Sequence, residues 1–156
     1  MLKPSRILAI INPISGVGSK TRIPGLLADA YNSREEELLI TYTKGEGHAI
    51  RLVKEAIEND IDSIIAVGGD GTVNEVGRAL TQTDTAMGIL PCGSGNGLAR
   101  HLNLPMNLKK CIDILNYCDI KKLDYGIINE HPFFCTCGMG FDAFISMKFA
   151  EAGTGG

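Results

Sequence analysis

Apolar positions along the chain follow two alternating rhythms. Unbroken or nearly unbroken aliphatic runs occupy Ile7 to Ile11, Leu38 to Tyr42, Ile64 to Val67 and Ala86 to Leu90. The first, closed by Asn12-Pro13, reads as a fully buried strand, and the others as further strands, the third ended by Gly68-Gly69 and the fourth stopped by Pro91. Between them apolar residues recur at helical spacing. Leu26, Leu27, Ala30 and Tyr31 follow Pro24, a residue suited to a helix start. Ile50, Val53, Ala56 and Ile57 mark one helix face, with Lys54, Glu55 and Glu58 on the other, and Val73, Val76 and Leu80 mark a third helix. Strand and helix alternate four times. This order predicts an α/β fold, a Rossmann-like parallel sheet flanked by helices with right-handed crossovers. Ligands of such sheets lie beyond the carboxyl ends of the strands. The loops at Gly16, Gly68 and Gly93 fall at those ends and are expected to converge on one site.

After Leu104-Pro105 the pattern changes. Leu108, Cys111, Ile112 and Leu115 predict a helix. Two strand-like stretches follow, Lys122 to Ile128 and Phe133 to Cys137, joined by Asn129-Glu130-His131-Pro132. A hairpin there predicts antiparallel sheet, so we expect a nucleotide-binding α/β domain over 1–120 and the start of an incomplete β domain over 121–156. Two strands alone are marginal. Either further sheet completes them or they dock on the first domain.

Composition narrows the chemistry. The 156 residues include 44% apolar side chains and 19 glycines, against about 11 glycines expected at average usage. Fifteen basic and eighteen acidic residues leave a net charge of -3, which supports neither a nucleic-acid footprint nor a polybasic membrane anchor. No apolar run approaches a membrane span, and the N-terminus lacks the pattern of a signal peptide. The five cysteines lack the CxxC spacing of zinc or redox motifs. Cys135-Thr136-Cys137 reads as core thiols on one strand face. A cytoplasmic, reduced protein is expected.

Three loops compete for the chemistry. The first, Asn12-Pro13-Ile14-Ser15-Gly16-Val17-Gly18-Ser19-Lys20-Thr21, has Ser19 where a Walker loop needs glycine. It has Thr21 where a dinucleotide fingerprint needs its third glycine, and Thr41-Tyr42-Thr43 where that fold places a ribose-binding acid. The second, Gly68-Gly69-Asp70-Gly71-Thr72-Val73-Asn74-Glu75, runs from a buried strand straight into a helix. Glycines there let the backbone approach an anion, and free N–H groups opening the helix bind phosphate. Arg78 and Arg100 are the only Lys or Arg residues between Asp62 and Leu104, so amides and a metal would hold the charge. Asp70 repels phosphate unless Mg²⁺ bridges the two or the carboxylate takes a proton. The plain alternative is a helix N-cap. The third loop, Gly93-Ser94-Gly95-Asn96-Gly97, again joins strand to helix, and Ser94 and Asn96 offer hydroxyl and amide contacts. Taken alone it is an ordinary turn.

Together these residues resemble a known family. Gly68-Gly69-Asp70-Gly71-Thr72 is similar to the GGDGT signature of diacylglycerol kinases, sphingosine kinases, bacterial lipid kinases and the more distant NAD kinases. Asn12-Pro13-Ile14-Ser15-Gly16 resembles the first-strand NPxSG motif of the lipid kinases, and Thr43, with His48-Ala49 behind it, their second-strand threonine. Leu90-Pro91-Cys92-Gly93-Ser94-Gly95-Asn96 resembles the sphingosine-kinase form of the third loop; Gly97 departs from the Gly-Thr-x-Asn-Asp of bacterial relatives. Asp124 and Gly138-Met139-Gly140-Phe141-Asp142 resemble the family's entry into its second domain.

The resemblance implies an NAD kinase/diacylglycerol kinase-like fold and ATP- and Mg²⁺-dependent phosphoryl transfer to a lipid hydroxyl, on diacylglycerol or a sphingosine-like alcohol. By that analogy Thr43, Gly69 to Glu75 and Ser94 contact the nucleotide. Asn12, Ser15 and Gly16 lie near the phosphates, with Gly68, Gly93 and Asn96 completing the loops. By analogy with sphingosine kinases in particular, Asp70 activates the acceptor hydroxyl. In bacterial lipid kinases the proton acceptor and much of the Mg²⁺ site are placed in the second domain, on which the family's lipid pocket also draws, so this chain is expected to bind ATP weakly and turn over little lipid. Contact with a membrane would be transient and peripheral, through the substrate, and exposed strand edges favour a homo-oligomer. An NAD kinase and a non-catalytic nucleotide-binding module are the alternatives.

Overall fold

The computed structural model describes residues 5–16, 20–31, 36–134, 143–145 and 147–148. Strands β1 (Ser5–Ile11), β2 (Glu36–Tyr42), β3 (Ser63–Gly68) and β4 (Ala86–Pro91) form one four-stranded sheet in the order β2-β1-β3-β4. Every pairing in it is parallel. Parallel neighbours need crossovers, and the helices predicted between the aliphatic runs supply them. The strand order reverses at the centre, since β2 lies to one side of β1 and β3 to the other. At such a switch point the chain leaves two neighbouring carboxyl ends in opposite directions and opens a crevice between them. Here those ends are Ile11 and Val67, paired in register.

Successive strand residues face opposite sides of the sheet, and both faces are covered. Ile10, Ile64, Ala66 and Ile89 pack under α2 (His48–Glu58), α3 (Asp70–Leu80) and α4 (Gly97–His101), against Val53, Val76 and Leu98. Their neighbours Ile11, Ile65, Val67 and Leu90 pack under α1 (Ile23–Tyr31) and α5 (Leu108–Leu115), against Leu27, Cys111 and Ile112. This explains why β1 and β3 are apolar without alternation. Leu27, Val53, Val76 and Ile112 are almost entirely withdrawn from solvent, each contributing about 1.5–3 kcal/mol. The edge strand β2 alternates between half-buried and exposed positions along most of its length.

The hairpin departs from expectation. Its strands are shorter, β5 at Gly126–Ile128 and β6 at His131–Phe133, and pair antiparallel. Only Asn129 and Glu130 form the turn, at φ 45° and 67°. Positive φ at both central residues twists the turn in the sense of the strands, which permits so tight a connection. His131 and Pro132 are therefore strand residues; Pro132 is tolerated because a two-stranded sheet has only edges. Cys135 and Cys137, and the stretch from Gly138 to Asp142, lie outside the described residues. The hairpin packs on α3. Phe134 seats its ring on α3 at Gly77, where a Cβ would stand 2.8 Å from the ring. Arg78 Nε donates to the Pro132 carbonyl at 3.0 Å.

Cys92, Cys111 and Cys118 are free thiols. Buried Cys111 donates to the Ile89 carbonyl at 3.3 Å. Burial, assisted by Cys92 and Cys118, pushes it up to about 11. Burial also raises Cys92, with Lys20 opposing.

Candidate functional site

The first loop leaves β1 at the switch point and is tied to β3 at once. Asn12 N donates to the Val67 carbonyl at 2.9 Å. The Asn12 side chain folds its own loop by accepting from Ile14 N at 3.1 Å, and reaches across to donate to Thr72 Oγ1 at 3.1 Å. Buried Ser15 donates its hydroxyl to the Asn12 carbonyl at 3.2 Å. Gly16 adopts φ 65°, and a Cβ there would overlap the Cys92 carbonyl oxygen of the third loop. Val17, Gly18 and Ser19 lie outside the described residues. After β2, Thr43 N donates to the Ile11 carbonyl at 2.9 Å, which anchors that buried residue beside the first loop.

The second loop enters α3 without a spacer. Gly69 is the N-cap, with an extended backbone and no side-chain cap. Asp70 is thus the first helical residue, and the N-cap reading of it does not hold for α3. Its carboxylate serves the third loop: Oδ2 accepts from Asn96 N at 2.8 Å and Oδ1 from Gly97 N at 2.6 Å. Asp70 remains exposed to solvent. The third loop is folded to receive it. Asn96 is buried at φ 54°, accepts from Gly93 N at 2.9 Å and donates to the Gly93 carbonyl at 2.6 Å. A Cβ on Gly93 would stand 2.6 Å from Gly69 Cα, and one on Gly95 would stand 2.6 Å from Asp70 Oδ2. Several of the glycines expected to admit a phosphate are therefore required because the three loops touch one another. Gly71 differs. A Cβ there meets nothing within 4 Å.

Two clefts open on either side of the first turn of α3, and Gly71 lines both. The first, of about 480 Å³, brings together Asn12, Thr43, Thr72 and Glu75 from the expected set. The second, of about 470 Å³, brings together Asp70, Val73 and Asn74. Ser15, Gly16, Gly68, Gly69, Gly93, Ser94 and Asn96 line neither cleft. Most of them support the walls, while Ser94 is exposed.

The sequence reading passed over Lys44, Gly45 and Glu46, which line the first cleft. Their place just after the carboxyl end of β2 was the available signal. It also read Phe133 only as the start of a strand and gave Phe134 no separate role; both wall the second cleft with Leu98. No pattern along the chain announced that placement.

The first cleft offers an uncapped helix start, a hydroxyl at Thr72 and an open glycine, a donor set suited to a phosphorylated ligand. The second sets the Asp70 carboxylate and the Asn74 amide beside Val73, Leu98, Phe133 and Phe134. Among the described residues no group of three or more His, Cys, Asp or Glu is placed to hold a metal ion, and no helix is long and apolar enough to cross a membrane.

Comparison with known proteins bears on the family and the fold. Residues 6–128 match the diacylglycerol kinase catalytic domain. The chain is 34% identical over 136 residues to a diacylglycerol kinase of Staphylococcus haemolyticus, covering 85% of this chain and 40% of that protein. It is 33% identical over 135 residues to a probable lipid kinase YegS-like protein of Chromohalobacter salexigens, covering 83% of this chain and 43% of that one. A crystal structure of a diacylglycerol kinase from Bacillus anthracis superposes with a TM-score of 0.72 at 29% identity, covering 85% of this chain and 49% of that chain. The chain thus spans less than half the length of these relatives.

Proposed function

The chain belongs to the diacylglycerol kinase catalytic domain family, and from that membership and the paired clefts we propose that it holds the ATP whose γ-phosphoryl group passes to a lipid hydroxyl. The observation that carries this reading is Gly71. It stands in the first turn of an uncapped helix, where the two clefts meet, with open space where a side chain would be. Amides opening α3 point at phosphate and the helix dipole favours its charge. Asn12 fixes the Thr72 hydroxyl beside them. The base and ribose then occupy the far side of the first cleft, between Ile14 and the Thr43–Glu46 segment.

The second cleft takes the acceptor. Val73, Leu98, Phe133 and Phe134 suit an apolar body, and Asp70 stands where a hydroxyl would enter. Each Asp70 oxygen accepts one amide N–H and keeps a further lone pair. The carboxylate takes the hydroxyl proton as the hydroxyl oxygen attacks the γ-phosphorus and the bond to the β-γ bridging oxygen breaks, releasing ADP. Mg²⁺, when bound, supplies charge neutralisation between carboxylate and phosphates. Asp70, the acidic residue that lines the second cleft, would help to hold it.

Proteins of the family about twice this length would complete the acceptor side, so we expect the 156-residue chain to bind nucleotide and transfer little phosphate. Calorimetric titration with MgATP, beside a phosphorylation assay on diacylglycerol and sphingosine in mixed micelles, tests this. Weak saturable binding with negligible lipid product is the expected outcome. Absence of binding up to the solubility of MgATP would sink the nucleotide reading.

A further inference from the structure

Two helices begin at the first cleft, and their amino ends are treated differently. α3 starts behind Gly69 with no side-chain cap. α2 starts behind Gly47, at φ 74°, and that glycine cannot cap it with a side chain either. A residue from far along the chain does so instead. Glu75, one turn into α3, accepts from Gly47 N at 3.0 Å through Oε1 and from Ala49 N at 3.2 Å through Oε2. The segment leading into α2 is closed as well: His48 N donates to the Gly45 carbonyl at 3.3 Å, and His48 Nδ1 accepts from Lys44 N at 3.0 Å.

An open helix start carries roughly half a positive charge and attracts phosphate. Two such starts on one cleft would leave a triphosphate two places to go. At α2 a half-buried carboxylate already occupies the donors, and its charge repels a second anion. We propose that Glu75 orients the nucleotide, closing the amino end of α2 to phosphate and leaving that of α3 to receive it. Glu75 is then a positioning residue acting through the backbone of Gly47 and Ala49, and the Thr43–Glu46 segment it steadies becomes the wall for base and ribose. This rests on the nucleotide reading of the first cleft.

Amide chemical shifts of the 156-residue chain, titrated separately with inorganic pyrophosphate and with MgADP, test it. In the wild-type chain pyrophosphate should move the amides of Gly69 to Val73 and leave Gly47 and Ala49 in place. In Glu75→Ala it should move both groups, and MgADP affinity should fall about tenfold, the scale of one or two lost charged hydrogen bonds. Glu75→Gln keeps one carbonyl acceptor without the charge and should lose about threefold. Pyrophosphate shifts at Gly47 and Ala49 in the wild-type chain would overturn the proposal without help from any variant. So would unchanged pyrophosphate shifts and MgADP affinity in a folded Glu75→Ala chain. Silence at every amide in the wild-type chain, with either ligand, would overturn the nucleotide reading itself and this proposal with it.

Discussion

The two clefts share Gly71 but are built from different material. The first is walled by loops leaving β1, β2 and β3, strands locked in register within one buried sheet. The second has α3 and the third loop on one side and Phe133-Phe134 on the other, presented by a hairpin of two three-residue strands. The walls of the first cleft inherit the support of the core. The far wall of the second depends on a ring seated at Gly77 and a bond from Arg78. On the function proposed above, the part that must bind the same nucleotide every time would rest on the sheet, and the part that must fit a particular acceptor on an appended element.

The sharpest way to break this contrast is at the shared residue. Gly71→Val adds a side chain where neighbouring groups leave room, so folding should be retained while MgADP affinity falls at least about 100-fold, or roughly 2.7 kcal/mol. Calorimetry beside thermal unfolding checks both halves. A variant that binds normally would show that phosphate does not approach this turn. Phe134→Ala should act on the other cleft alone. Loss of its packing against Gly77 and Tyr125, whose ring centroid lies 5.9 Å away, should destabilise the chain by about 1–3 kcal/mol in urea titration. MgADP affinity should move less than about threefold, and a larger change would mean that the hairpin shapes the nucleotide wall too.

The smallest effect concerns the packing of α5 on the sheet that carries the first cleft. Buried Cys111 of that helix is held up at about 11 from an ordinary 9.0. Its thiol therefore favours the folded state up to about pH 9, and that contribution is lost as pH rises toward 11. At pH 8 a maleimide should label exposed Cys118 well before Cys111, as peptide mapping would show. Comparable rates would mean that the sheet opens more readily than its packing suggests.

Much of this was legible in the residues. The aliphatic runs at Ile7–Ile11 and Ile64–Val67 lacked alternation because both sheet faces are covered, and that property shows in one dimension. So did the placing of three loops at strand ends. What each glycine faces did not show. Gly16, Gly93 and Gly95 abut another loop while Gly71 abuts nothing, a distinction made only when residues far apart in sequence meet. Nor did the bonds of Glu75 to Gly47 and Ala49 show, because those partners lie 28 and 26 positions away. His131-Pro132 looked like a turn because proline usually ends a strand, and only the isolation of the two-stranded sheet makes it acceptable there.

α3 also has a mechanical consequence. Asp70 at its first position touches the third loop, and Gly77 and Arg78 near its far end grip the hairpin. Seven residues of helix separate these attachments by about 10 Å, so the element behaves as a short lever. A rocking of about 10° would carry one end some 2 Å relative to the other, more than the spread of a hydrogen-bond length. Pressure on the hairpin is thus passed to the junction of Asp70 with the third loop, through one stiff rod and no intervening loop.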